Sequence, residues 1–144
     1  MGYPRNEEFF IKYDYDFAKQ GGAVSEIALT PDVNALAENV IIKEVMVVVK
    51  TALTSGGSAT VTLGNSTDPD GYLADFFSAA GTANAVINSG SVAGALIWDD
   101  TNDHAIHYRI DGTAANQDLV LEVGTAALTA GKLEIYLRCA YNQV

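Results

Sequence analysis

Apolar and polar residues alternate with period two along much of the chain. In the run Ile11-Lys12-Tyr13-Asp14-Tyr15-Asp16-Phe17 the apolar side chains fall on one face and Lys12, Asp14 and Asp16 on the other. Successive side chains of an extended chain point to opposite faces, so this is the pattern of a half-buried strand. Residues 131–141 repeat it: Leu133, Ile135, Leu137, Cys139 and Tyr141 oppose Glu134, Tyr136, Arg138 and Ala140. "VIIKEVMVVVKTAL" (40–53) is rich in β-branched residues and long enough for a central strand. Shorter runs at 25–30 (stopped by Pro31), 58–63, 95–98, 105–110 and 118–123 predict further strands, separated by the turn signals "TSGGS", "DDTND", "DGTAANQ" and "TAALTAG". Many short strands with polar turns predict an all-β fold, a single-domain antiparallel β-sandwich of jelly-roll-like order, with a barrel as the alternative closure. Helix is expected only around residues 70–78. There Asp70 is placed to cap and Tyr72, Leu73, Phe76 and Phe77 would share one apolar face.

The N-terminus departs from this rule. Residues 1–10 do not alternate, yet Tyr3, Phe9 and Phe10 fall among them. Aromatic density without strand periodicity predicts an extended arm over residues 1–10 ahead of a β-sandwich domain at 11–144. Tyr3, Phe9 and Phe10 are its candidate protein-interaction anchors on a neighbouring subunit or surface.

Composition sharpens the picture. The chain has 144 residues, of which 49% are hydrophobic and 18% charged, with a net charge of −10. That is apolar for a monomer and points to buried contacts between chains. The run 78–97 carries no charge and is rich in small residues, so a symmetric homo-oligomer is expected, a trimer favoured. No Lys or Arg stands between Lys50 and Arg109, while six aspartates do. An acidic surface of this kind repels phosphate backbones and excludes nucleic acid as a partner. The uncharged run 76–98 is too polar and too interrupted by Gly, Asn and Ser to cross a membrane, and "MGYPRNEEFF" lacks the apolar stretch of a signal peptide. The single cysteine, Cys139, cannot form an internal disulfide and reads as a small buried apolar residue.

The motifs that suggest chemistry dissolve on inspection. Gly56-Gly57 is followed by "SATVTL", with neither the lysine nor the helix of a phosphate loop, and reads as a hairpin turn. "DPDG" (68–71) lacks the distal glutamate of a calcium loop and reads as a turn around Pro69. "DDTND" (99–103) is a hairpin tip that leaves weak calcium binding open. His104 and His107 are three apart on one strand run and so face opposite ways. No nucleophile elbow is present. The sequence therefore assigns no catalytic, cofactor-binding or metal-ligating residue, requires no cofactor, and predicts a non-enzyme.

Four segments, "TSGGSATVTLG", "DPDGYL", "GALIWDDTNDHAIHYRI" and the ending "LVLEVGTAALTAGKLEIYLRCAY", carry a resemblance over the chain from about residue 40 onward. In style and order they resemble small virion proteins of tailed bacteriophages, specifically head decoration or cement proteins. The resemblance implies a structural protein of the virion, on the capsid exterior. Its partners would be the major capsid protein and its own copies, and it would clamp neighbouring capsomers. Two other classes stay open. One is a phage tail, fibre or adhesion module binding host-surface glycan, for which Tyr72 or Trp98 with Asp99 and Asp100 would serve. The other is a small hydrolase.

Overall fold

The computed structural model describes residues 8–32, 36–99, 104–111, 113 and 117–141. Its main sheet is built from β1 (Glu8–Asp16), β3 (Val40–Ser55), β5 (Val86–Asn88), β8 (Tyr108–Arg109) and β10 (Leu128–Tyr141). The order is β1-β10-β3-β5, with β8 also paired to β3. A second sheet has the order β2-β9-β4, from β2 (Ser25–Leu29), β9 (Leu119–Gly124) and β4 (Thr60–Gly64). The short β6 (Trp98–Asp99) and β7 (His104–Ala105) pair with each other. Every pairing is antiparallel. The all-β, antiparallel sandwich expected from the alternation is the observed architecture.

The core forms where the inward parities meet. Ile11, Tyr13 and Tyr15 of β1, Val45, Val47 and Val49 of β3, and Leu133, Ile135 and Leu137 of β10 join Val61, Leu63, Leu119, Leu121 and Val123 of the second sheet in one buried cluster. In β3 the inward residues change from even to odd numbers. The ladder to β10 explains this: Arg138 pairs with Glu44 and Cys139 with Ile42, so Lys43 is an extra residue on β3. Such a bulge restores burial after the parity change. A further irregularity needs a glycine. Gly131 has φ 146°, and a Cβ there would lie 2.1 Å from Leu53 Cδ2.

Helix is minor and lies elsewhere than expected. The described helices are α1 (Phe17–Gln20) and α2 (Ser89–Val92), with a 3-10 turn at Ala79–Gly81. Asp16 caps α1 by accepting from the Ala18 N–H at 3.0 Å. The helix predicted at 70–78 is not formed. Tyr72, Leu73 and Phe76 are fully buried in non-helical chain that bridges Leu63 on one side and Ala93 on the other through Leu73. Asp75 secures the segment by accepting from the N–H groups of Val61 (2.9 Å) and Phe77 (3.0 Å). Two predicted strands are also shorter. Residues 95–97 form a turn before β6, and the run 105–110 divides between β7 and β8, because β7 serves the small hairpin and β8 the main sheet.

Candidate functional site

The outward parity of the main sheet presents Phe10, Lys12 and Asp14 from β1, Glu134, Tyr136 and Arg138 from β10, and Glu44, Met46 and Val48 from β3. The register sets them in rows: Phe10–Arg138–Glu44, Lys12–Tyr136–Met46 and Asp14–Glu134–Val48. Two clusters of charge bracket this face. At one side Lys12 Nζ lies 2.9 Å from Glu134, 3.5 Å from Asp32 and 3.7 Å from Asp14, and Lys50 lies 3.6 Å from Glu134. At the other, Arg138 pairs with Glu8 and, at 3.3 Å, with Glu44, while Lys43 reaches Glu8 at 3.4 Å.

The pairing is felt in the titration of these groups. The Arg138 guanidinium holds Glu8 below the usual carboxylate range, and the Lys12 ammonium does the same for Glu134. Lys12 and Arg138 are raised in return by Glu134 and Glu8. Asp14 is displaced upward, first by burial and then by the carboxyl of Asp32 beside it.

Between the clusters, Phe10, Met46, Val48 and Tyr136 line an apolar depression of about 330 Å³. Phe10 is 51% exposed, and Val86 on β5, opposite Val48, is 58% exposed. They are two of three large hydrophobic residues exposed among the described residues, the third being Val24. An apolar centre within a polar rim is the anatomy of a protein–protein contact. Most of the rim charges are paired within the subunit, so covering the face strips little unmatched charge from water.

The sequence-predicted residues scatter. Phe10 belongs to this face. Phe9, its neighbour in β1, packs partly against the protein's own core, and Tyr3 lies outside the described residues. Met46, Val48 and Tyr136 were not singled out from sequence; the available signal was apolar residues on the outward parity. "DPDG" is a turn: the Gly71 N–H donates to the Asp68 carbonyl at 3.0 Å, and Asn65 Oδ1 accepts from the N–H groups of Thr67 (3.0 Å) and Asp68 (2.8 Å). Of "DDTND", Asp99 is in β6 and residues 100–103 lie outside the described residues. Among the described residues no three His, Cys, Asp or Glu side chains are grouped to hold a metal ion. Cys139 is buried and its thiol is pushed up to about 12 by burial, which makes it a packing residue rather than a nucleophile. Tyr72 is fully buried, which corrects its candidacy as an exposed glycan platform. Trp98 stands in β6, and its side chain lies outside those described.

No family model matches the chain, and neither does any curated protein. Solved structures do. A chain of the cyanophage Pam1 capsid asymmetric unit superposes with a TM-score of 0.65, covering 99% of this chain and 93% of that one at 11% identity. A chain of the capsid of Ralstonia phage GP4 gives a TM-score of 0.58 over 100% of this chain and 90% of that one, at 15% identity. At these identities the likeness is one of fold: the chain has, over nearly its whole length, the fold of chains in two phage capsid structures.

Proposed function

We propose that this protein is a non-enzymatic structural protein of a bacteriophage virion, a decoration or cement protein. It sits on the capsid exterior as a homo-oligomer, a trimer favoured, and lays the outer face of its main sheet on the major capsid protein so as to clamp neighbouring capsomers. The observation that carries this reading is the apolar centre of Phe10, Met46, Val48 and Tyr136 within a ring of internally matched charges, on a fold shared with chains of two phage capsids. The N-terminal segment, residues 1–10, adds to the same contact: its last three residues belong to β1, which carries Phe10 onto the face, and Tyr3 lies outside the described residues.

The test is reconstitution on particles stripped of the protein. Met46→Asp and Tyr136→Asp should each fold yet occupy few sites, since a buried apolar side chain of this size contributes about 1.5–3 kcal/mol, or roughly 10- to 100-fold in affinity. Deletion of residues 1–7 should leave the melting temperature near wild type and lower occupancy. Full occupancy by the Met46 and Tyr136 variants would refute docking through this face.

A further inference from the structure

The second sheet ends in an open edge. Its order is β2-β9-β4, and no described strand follows on the far side of β2. Hydrogen bonds on β4 fix which groups face that edge. The Val61 carbonyl accepts from the Phe76 N–H at 2.9 Å and the Leu63 N–H donates to the Leu73 carbonyl at 3.0 Å, so the odd residues of β4 turn away from β9. Thr62 therefore turns toward β9, where Glu122 stands directly opposite. Residues alternate along each strand, so Leu121 of β9 turns the other way and exchanges hydrogen bonds with Ile27. Glu26 and Ala28 are left with their N–H and C=O groups pointing to the open edge, and both residues are exposed.

Edges of this kind are ordinarily blunted by Lys, Pro, a bulge or a covering segment. Ser25–Leu29 contains neither Lys nor Pro, and its register with β9 is unbroken. Cover begins only beyond the strand, where Pro31 bridges Tyr13 and the Asp32 N–H donates to the Lys12 carbonyl at 2.8 Å. Val24, just before β2, is 55% exposed, and Ile27 packs on the core yet stays partly open. A strand laid along β2 would satisfy the four edge-facing groups of Glu26 and Ala28.

The sequence of the edge selects the occupant. Hydrogen bonding between two such edges sets even residues opposite even ones. About a two-fold axis, Glu26 against the partner's Glu26 would oppose like charges. Ala28 against the partner's Ala28 would draw on Thr30, next to the bridge that Pro31 makes to Tyr13. Centring on Ile27 avoids both. Glu26 then faces the partner's Ala28, Ala28 faces the partner's Glu26, and each pair exchanges two backbone hydrogen bonds. Ile27 meets the partner's Ile27, while the outer face with Glu26 and Glu122 stays in water. We propose that β2 is a self-association site: two copies pair their β2 edges antiparallel about a two-fold axis at Ile27, joining their three-stranded sheets into one. The contact is isologous and self-closing. It rests on the homo-oligomer reading above and supplies that reading with a two-fold joint, between two single copies or between two trimers, so the assembly holds an even number of copies.

Sedimentation at high micromolar protein tests it. The wild type should associate with an even copy number. The two Glu26 positions stand diagonally, about 7–8 Å apart, and each subunit carries a net charge of −10, so added salt should strengthen association. Ala28→Pro removes an edge-facing N–H without touching the ladder to β9, and should associate about tenfold more weakly or worse. Phe10→Asp, which alters the main-sheet face, should leave association unchanged. Crosslinking checks the register apart from the proline. Under mild oxidation Ile27→Cys should form a disulfide-linked dimer, because a central pair without mutual hydrogen bonds brings its side chains closest. Ser25→Cys should not, and Cys139 is buried. Melting temperatures confirm that each variant folds. A monomeric wild type would overturn this inference and the homo-oligomer reading together. A trimer as the largest species, or an oligomer indifferent to Ala28→Pro, or one that Ile27→Cys fails to crosslink, would overturn the inference alone.

Discussion

On the outer face of the main sheet, Lys12, Lys43, Lys50 and Arg138 each meet a carboxylate. On the outer face of the three-stranded sheet, Glu26 of β2 and Glu122 of β9 stand directly opposite each other, with Thr62 of β4 beyond, and no described base pairs with either. The first face has an apolar centre; the second has none. Like charges set opposite across strands are tolerated where water screens them, and burying such a face would leave both carboxylates unmatched. The contrast teaches that a net charge of −10 does not itself mark a surface for solvent or for contact. What distinguishes the two faces is whether the charges are matched before a partner arrives.

The comparison breaks most readily through attachment. Met46→Asp or Tyr136→Asp should lower particle occupancy by roughly 10- to 100-fold, whereas Thr62→Asp on the other face should change it little. Equal losses from both faces would erase the distinction.

Acid provides the next largest effect. Glu8 and Glu134 are held below their ordinary value of 4.5 by Arg138 and Lys12. Their contribution to stability is present above that value and is lost as pH falls through the lowered folded values. Asp68 has the opposite sign: burial and Asp70 raise it above 3.8. Its protonated form favours the fold below 3.8, and that contribution is lost as pH rises through the raised value. Asp68→Asn in dilute protein should therefore melt a degree or two above wild type at pH 7, an effect kept small by solvent screening, and equal it near pH 3. Titrating melting temperature against pH for wild type, Glu134→Gln and Asp68→Asn separates the two signs.

The smallest change is on the solvent face. Glu26→Lys converts a like-charge pair with Glu122 into an opposite one and should gain about 0.2–1 kcal/mol in denaturant unfolding. It should leave particle attachment unaltered.

Much of the fold was legible because period two survives wherever one face is wet. Ile11, Tyr13 and Tyr15, and Leu133, Ile135, Leu137 and Cys139, are buried as their alternation required. The helix expected at 70–78 failed for a physical reason. Tyr72, Leu73 and Phe76 have helix-like spacing, but a chain buried on both sides also needs apolar residues at adjacent positions, and here Asp75 and Leu73 tie the segment to β4. In β3 the bulge at Lys43 and apolar residues on both parities hid which face was inward. For the candidate site, Phe10 was visible because it broke a pattern, whereas Met46 and Tyr136 become neighbours only through the β3–β10 ladder between distant segments. Outward Tyr136 between Glu134 and Arg138 was the legible hint.

The most direct test of the central claim is hydroxyl-radical footprinting of the protein free and on the particle, read at Phe10, Met46 and Tyr136 on one face and at Val24, just before β2, and Ile27, within β2. Docking through the main sheet predicts that modification of Phe10, Met46 and Tyr136 falls at least about tenfold on the particle, with Val24 and Ile27 unchanged. Unaltered modification at Met46 and Tyr136 on fully occupied particles, with protection of Val24 instead, would contradict it.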